Sequence, residues 1–239
     1  MVAPTLSKTK AEVKPQERRT PPLENGDHLT RAEFERRYHA RPDLKKAELI
    51  EGVVYVPSPV HLESHARPHS KIMGLLFNYV AATPGTDAAD NASVRLDAEN
   101  EVQPDALLRI RESHGGQSRP SADDYLHGAP ELIVEVAASS ASYDLHEKLR
   151  VYRRNGVQEY VVQLALERET IWYRLNEGRY DVVPPDSDGI IRSQTFPGLW
   201  FHPEHFWGDD PAGLLAALQP GLASPEHAAF VTTLSAAQP

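Results

Sequence analysis

The chain has 239 residues, a length that suits one α/β domain whose ends lie outside the core. It contains no cysteine, which excludes a disulfide scaffold, a thiol nucleophile and a cysteine-ligated zinc site. Its formal net charge of −9 disfavours binding of nucleic acid through a broad basic surface, because such binding gains affinity by releasing counterions.

The amino-terminal residues 1–27 are rich in Lys, Pro, Glu and Thr and poor in large apolar side chains, which predicts a disordered tail. The tail also carries basic residues, and a solvated segment is the favoured interpretation over an arm that binds nucleic acid. No apolar run approaches the roughly 18 residues that span a membrane, and the start lacks the apolar stretch of a secretory signal. We therefore expect no membrane association and a cytoplasmic location.

The first predicted helix begins at a capping box, with Thr30 as N-cap and Glu33 three residues later, and extends to about residue 39. Residues 48–57 alternate in polarity and end in a proline, which predicts one strand. A second helix is expected from about residue 68 to residue 82, where apolar side chains recur at helical spacing. Pro84 and Gly85 then form a stop signal.

Three histidines, His61, His65 and His69, recur at four-residue spacing before and within this helix. On a helix that spacing aligns the imidazoles on one face, as some zinc sites require. The flanking Pro59 and Pro68 disfavour one continuous helix, so zinc binding is the minor alternative. His69 could approach a phosphate, although the favoured interpretation is that it caps or lines the helix.

Residues 94–96 and 102–110 are predicted strands joined by a hairpin at 97–101, and the polar segment 111–128 is predicted to be a surface loop. Residues 131–137 are apolar at almost every position, as in a strand covered on both faces. The following helix, at 141–155, is expected to end at Gly156.

Strands are then predicted at 159–166, 170–175 and 179–183, with a turn at 176–178 and a closing edge segment at 195–200. This alternation of strands and helices predicts the α/β class. Beyond residue 209 a short helix is expected. We place one domain at residues 28–215 and a flexible carboxyl-terminal tail at 216–239.

The candidate catalytic residues lie in two of these strands and in the helix that follows. Asp105 comes after Pro104, and Glu135 lies inside the apolar run 131–137, where an ionised carboxylate is costly to bury unless it is paired or bound to a cation. Two carboxylates are typical ligands of Mg²⁺. Lys148 lies beside the apolar face of the next helix, from which its ammonium could reach the end of the strand.

The structural alternative for each acid remains open from the residues alone. Asp105 could simply begin a strand, and Glu135 could pair with an arginine such as Arg109 or Arg150. The combination of both acids with Lys148, in the order strand, strand and helix, favours catalysis.

Five segments of the chain, in order, resemble the successive motifs of the Uma family. They are AELIEGVVYVP at 47–57, QPDAL at 103–107, GAPELIVEVAAS at 128–139, DLHEK at 144–148 and YRRNGVQEY at 152–160. That bacterial family is described as putative restriction endonucleases and belongs to the PD-(D/E)XK nuclease superfamily. The resemblance extends from about residue 29 to about residue 215. It implies a restriction-endonuclease-like fold, in which helices flank a mixed central sheet.

The resemblance also implies the roles of particular residues. Asp105 and Glu135 would be the metal-binding acids, and Glu48 a further acid at the first helix-to-strand junction. Ala137 stands where the superfamily's simplest pattern has a lysine. Similarity to the Uma family assigns the role of that lysine, to orient the water nucleophile or neutralise the phosphate, to Lys148.

The expected function is therefore hydrolysis of phosphodiester bonds, with DNA as the substrate implied by the resemblance. The expected cofactor is Mg²⁺ or Mn²⁺, held by Asp105 and Glu135 with the backbone carbonyl of Val136 as a further ligand. The resemblance also suggests a homodimer. The competing hypothesis is a noncatalytic module that binds nucleic acid or protein and keeps the nuclease fold.

Overall fold

The computed structural model describes residues 20–57 and 60–237. Its strands, in chain order, are β1 (Glu48–Ile50), β2 (Val53–Tyr55), β3 (Thr86–Asp90), β4 (Val94–Arg95), β5 (Glu101–Val102), β6 (Ala106–Ile110), β7 (Arg119–Pro120), β8 (Leu126–His127), β9 (Leu132–Ala137), β10 (Glu159–Leu164), β11 (Glu169–Asn176), β12 (Arg179–Val182), β13 (Ile191–Arg192) and β14 (Trp200–Phe201).

The α-helices are α1 (Arg31–His39), α2 (Arg67–Ala82), α3 (Ala141–Tyr143), α4 (Leu149–Arg154), α5 (Pro203–Trp207), α6 (Pro211–Leu222) and α7 (Pro225–Ala236). Two π-helical turns adjoin them, Leu62–Ala66 before α2 and Asp144–Lys148 between α3 and α4. None of the helices in the described ranges is both long and apolar enough to cross a bilayer.

The central sheet has six strands in the order β12-β11-β10-β9-β6-β3. Strands β9 and β10 run parallel, whereas their other neighbours pair antiparallel, so the sheet is mixed. A second six-stranded sheet has the order β2-β1-β5-β4-β8-β7, and β13 pairs with β14. The predicted α/β class with a mixed central sheet flanked by helices is confirmed, and the second sheet is an addition to it.

The central sheet is covered on both faces, which explains the unbroken apolar sequence of β9. Leu132 and Val134 join the core formed with α2 and the carboxyl-terminal helices. Ile133 joins a different core, which contains Val151 and Tyr152 of α4. Alternate side chains of β9 therefore pack against helices on opposite faces of the sheet.

Of two predictions near the amino end, the capping box at Thr30 is confirmed and the single strand at 48–57 is not. Thr30 accepts a hydrogen bond from the Glu33 amide at 3.4 Å, which confirms the start of α1. The single strand expected at 48–57 is instead the hairpin β1–β2, because Glu51 and Gly52 both have positive φ, 51° and 76°. Positive φ at both central residues is the requirement of a type I′ turn, which usually carries Asn-Gly or Asp-Gly.

The strand predicted at 102–110 is also divided. Its two parts, β5 and β6, belong to different sheets, and residues 103–105 connect them. Asp105 therefore lies immediately before β6, where the chain passes from the second sheet to the central one. The segment 111–128, predicted as a loop, contributes β7 and β8 to the edge of the second sheet.

Within the described residues, parts of both predicted tails are packed against the domain. Leu23, inside the expected tail 1–27, is buried in a small core with Phe34 of α1, and residues 1–19 of that expected tail lie outside the described part. Residues 216–237 complete α6 and form α7 rather than a flexible tail. His227 and Leu234 of α7 are buried, and His227 Nε2 lies 2.9 Å from the Thr83 hydroxyl.

Candidate active site

A cavity of about 800 Å³ lies where the amino end of β6 meets the carboxyl end of β9. Its walls include all four side chains that we predicted to be catalytic, Glu48, Asp105, Glu135 and Lys148, and also Val136. Residues far apart in the sequence meet here because β6 pairs antiparallel with β9 and β5 pairs with β1.

Asp105 is buried and is held by three donors. Its Oδ1 accepts from the Lys46 ammonium at 3.0 Å, and its Oδ2 accepts from His65 Nε2 at 3.1 Å and from the Val136 amide at 2.8 Å. Burial opposes ionisation, but the hydrogen bond from His65 and the charge of Lys46 outweigh it and hold the pKa of Asp105 well below its usual range. Asp105 is therefore an anion directed by the backbone of the neighbouring strand.

Glu135 lies in the middle of β9 with only 2% of its surface exposed. Its Oε1 accepts from the Lys148 ammonium at 2.9 Å and from the Tyr152 hydroxyl at 2.7 Å. The prediction that Lys148 approaches Glu135 from the following helix is confirmed. The two arginines considered as structural partners lie elsewhere, since Arg109 donates to the Ser118 carbonyl and Arg150 to Glu51.

Lys148 is enclosed by carboxylates. Besides Glu135, its ammonium lies 3.0 Å from Glu48 Oε2 and 3.7 Å from Asp144 Oδ1. Asp144 and Lys148 are the first and last residues of the π-helical turn, in which both are buried. π-helical turns inside helices are frequent at functional sites.

Glu48 occupies the position predicted for it, but both of its oxygens have protein partners. Oε1 accepts from the Gln103 amide at 2.8 Å, and Oε2 contacts Lys148. In this arrangement Glu48 fixes Lys148 and the chain just before Asp105.

We call Glu48, Asp105, Glu135, Asp144, Lys46 and Lys148 the cavity cluster. When all six side chains are ionised, four carboxylates face two ammonium groups, so two negative charges are left uncompensated. Burial, opposed by Lys148 and reinforced by Asp105, raises the pKa of Glu135 to about 8. Burial likewise raises the pKa of Asp144. The cluster therefore attracts either protons or a cation of charge +2.

The donor set fits a hard divalent cation. Mg²⁺ is commonly bound by one or two carboxylates together with waters and substrate phosphate, and Asp105 and Glu135 supply two such groups. Two polar atoms that line or adjoin the cavity, the Tyr143 hydroxyl and His65 Nδ1, have no hydrogen-bond partner in the structure. Within the described ranges, no three His, Cys, Asp or Glu side chains are grouped as ligands of one metal ion.

His61, His65 and His69 are not part of a three-ligand group among the described residues, but the expectation that the prolines prevent a continuous helix was wrong for Pro68. The π-helical turn continues into α2, so Pro68 lies in the first turn of that helix and does not interrupt it, while Pro59 lies outside the described residues. His65 binds the Asp105 carboxylate, and His69 Nε2 lies 2.8 Å from the Asp105 carbonyl and 3.1 Å from Asp90 Oδ1. His69 thus lies in α2, lines the cavity and contacts the backbone of a site residue.

Four residues of the site were missed from the sequence: Lys46, His65 as a partner of Asp105, Asp144 and Tyr152. Lys46 precedes Glu48 by two residues, so alternation in an extended segment could have placed both on one face. Asp144 precedes Lys148 by four residues, a spacing that makes the two side chains neighbours on the surface of a helix. His65 was considered only as a zinc ligand.

Comparisons with known proteins identify the family and a similar fold. The profile of the family Uma2, described as "Putative restriction endonuclease", matches residues 31–204. A solved structure described as a putative nuclease belonging to DUF820, from Anabaena variabilis, shares 16% identity at a TM-score of 0.52. That similarity covers 80% of this chain and 99% of the other, and at such identity it supports the fold alone. No curated protein matches the sequence.

Proposed function

The chain belongs to the Uma2 family, which is described as "Putative restriction endonuclease", and we propose that it is a metal-dependent endonuclease that hydrolyses phosphodiester bonds in DNA. The observation that carries this proposal is the cavity cluster. Buried acids from different parts of the chain are held around one lysine, outnumber it, and lie beside a cavity of about 800 Å³.

Asp105 and Glu135 would hold Mg²⁺ or Mn²⁺, with the Val136 carbonyl as a further ligand. A divalent cation bound there supplies Lewis acidity, which lowers the pKa of water and stabilises negative charge on a phosphoryl group. The hydrogen bond from the Val136 amide to Asp105 fixes one acid relative to the strand that carries the other.

The remaining groups of the cluster orient these acids and keep the site in one arrangement. Lys148 and Tyr152 both donate to Glu135 Oε1, so the orientation of this carboxylate is determined by two bonds. In hydrolysis a water oxygen forms a bond to phosphorus and one P–O ester bond breaks. The leaving oxygen takes a proton, and the products are a phosphomonoester and an alcohol.

DNA as the substrate rests on the family rather than on any base-reading feature of the chain. The net charge of −9 opposes nonspecific attraction at long range, so we expect contacts with phosphate to be confined to the cavity and its rim. A cytoplasmic location, where the protein would meet DNA, is part of the same proposal.

The direct test is incubation of the purified protein with supercoiled plasmid, linear duplex and single-stranded DNA in the presence of Mn²⁺. The proposal predicts nicked or linear products that disappear with EDTA and in the Asp105→Ala variant. A protein that binds Mn²⁺ or DNA but cleaves none of these substrates would instead support the noncatalytic module.

A homodimer is the assembly that we propose, because it would let two sites cut the two strands of a duplex. Light scattering at micromolar concentration should show twice the 26.6 kDa chain mass. A particle of 26.6 kDa alone would remove this part of the proposal without affecting the cavity cluster.

A further inference from the structure

The two lysines of the cavity cluster differ in how far they are free to move. The Lys148 side chain is 4% exposed and lies within 3.7 Å of three carboxylates. The Lys46 side chain is 24% exposed and contacts one carboxylate, Asp105, and the side-chain oxygen of Asn91 at 3.0 Å. If Lys148 moved to a substrate, three buried acids would lose their common counter-ion, whereas movement of Lys46 affects one acid.

Asp105 would retain its position without Lys46. Its other oxygen keeps the bonds from the Val136 amide and from His65. A divalent cation held by Asp105 would balance the charge of that carboxylate, and the Lys46 ammonium would then lose most of the attraction that holds it there. The flexible stem of a lysine then allows the ammonium to turn toward an anion in the cavity.

The neighbouring Lys45 has a different environment. It is exposed, and its ammonium donates to the Pro42 carbonyl at 3.2 Å. Among the described lysines that line the cavity, Lys45 is therefore held by a carbonyl of its own loop and Lys148 is enclosed by acids. Lys46 combines a place on the cavity wall with a partner that can be replaced.

We propose that Lys46 is a catalytic residue that contacts the substrate phosphate, after moving from Asp105 to a phosphate oxygen when DNA enters the cavity. This inference rests on the proposed nuclease function and names the side chain that meets its substrate. Lys148 then serves as a positioning residue, which fixes Glu135 from the interior. A phosphate receives from lysine a point charge rather than a bidentate contact, so Lys46→Arg should retain part of the activity.

The test compares Lys46→Ala with Arg179→Ala, a control that removes one positive charge from an exposed residue of β12 that does not line the cavity. Binding of a DNA duplex is measured by fluorescence anisotropy over a range of salt concentrations in Ca²⁺, with Mn²⁺-dependent cleavage measured in parallel. Calorimetry with Mn²⁺ alone reports whether Asp105 still binds metal.

We expect Lys46→Ala to weaken DNA binding roughly tenfold and to reduce the slope of log affinity against log salt by about 0.9, the contribution of one phosphate contact. Affinity for Mn²⁺ should be unchanged or higher, because Lys46 no longer competes for Asp105. Arg179→Ala should leave the slope and the cleavage close to those of the wild type.

Equal effects of the two substitutions on the salt slope would overturn the inference, and so would loss of Mn²⁺ binding in Lys46→Ala, which would make Lys46 a positioning residue for Asp105. If the alanine variant does not fold, Lys46→Gln carries the same test, and failure of both to fold would assign Lys46 a structural role. A wild-type protein that neither binds nor cleaves DNA would overturn the proposed function itself.

Discussion

Two clusters in the described part of the chain place several acids around one cation, and they differ in what lies beside them. The cavity cluster borders a space of about 800 Å³. In the second, which we call the Arg95 cluster, the Arg95 guanidinium lies 2.8 Å from Glu35, 3.5 Å from Glu101 and 2.7 Å from Asp123, and it stacks 3.8 Å from the centre of the Tyr125 ring. None of these residues is among those that line the cavity.

The pKa shifts of the two clusters are alike. Burial raises the pKa of Glu101 to about 8, with the Glu35 carboxyl acting in the same direction and Arg95 against it. Glu135 is also shifted to about 8. A perturbed carboxyl is therefore insufficient to identify the active site here. The cavity cluster differs from the Arg95 cluster in two ways. It borders a cavity, and its Lys46 has one carboxylate partner, Asp105, which could bind a metal ion instead.

The largest expected difference concerns cleavage after removal of one acid from each cluster. Asp105→Ala should lose at least ~10³-fold in cleavage rate, because a metal contributes several kcal/mol to transition-state stabilisation and ~1.36 kcal/mol equals a factor of ten. Glu101→Gln should cleave at the wild-type rate. Plasmid nicking with Mn²⁺ measures both, and equal losses in the two variants would erase the functional distinction.

A second prediction compares the two central cations. Lys148→Met should lower the free energy of unfolding by about 3–5 kcal/mol, because it leaves buried carboxylates without their counter-ion, and it should abolish cleavage. Arg95→Met should also destabilise the protein while the folded fraction keeps its activity. Urea unfolding and cleavage by the folded protein separate the two effects. A fully active Lys148→Met protein would show that Lys148 has no part in catalysis.

The smallest effect is the pH dependence of stability that arises from Glu101. Its folded-state pKa is raised, so the folded protein binds the proton more tightly than the unfolded chain does. The resulting stabilisation is present below the ordinary glutamate pKa of about 4.5 and is lost as the pH rises toward about 8. The charged groups that face Glu101 are Glu35 from α1 and Arg95 from β4.

As the pH rises from 5 to 8, the free energy of unfolding should accordingly fall less for Glu101→Gln than for the wild type. The difference in slope should correspond to about one bound proton. Urea unfolding at several pH values in this range is the measurement, and Glu35→Gln serves as a companion variant. Parallel pH profiles for Glu101→Gln and the wild type would show that the pKa of Glu101 is not raised in the folded protein.

The sequence predicted those parts of the site that follow from local patterns. Asp105 and Glu135 stand out because an acid interrupts a strand-like segment, and Lys148 follows from helical spacing after that strand. Lys46 and His65 were not placed beside Asp105, because their contacts depend on the pairing of distant segments, which no local pattern specifies. Distances of 3.0 and 3.1 Å thus join residues 59 and 40 positions apart.

The fold shows the same division between local and distant determinants. The apolar run of β9 and the capping box of α1 identify their elements directly. The division of residues 101–110 between two sheets was missed, because β5 and β6 are each normal strands and only the tertiary structure separates them. The carboxyl-terminal helices were underestimated because the burial of His227 and Leu234 depends on their packing against the rest of the chain.

The central claim, that the cavity cluster and not the Arg95 cluster is a divalent-metal site, is tested most directly by isothermal titration calorimetry with Mn²⁺. Wild type and Glu101→Gln should bind Mn²⁺ with the same affinity, and Asp105→Ala should show no binding above the heat of dilution. Unchanged Mn²⁺ binding in Asp105→Ala, or its loss in Glu101→Gln, would contradict the claim.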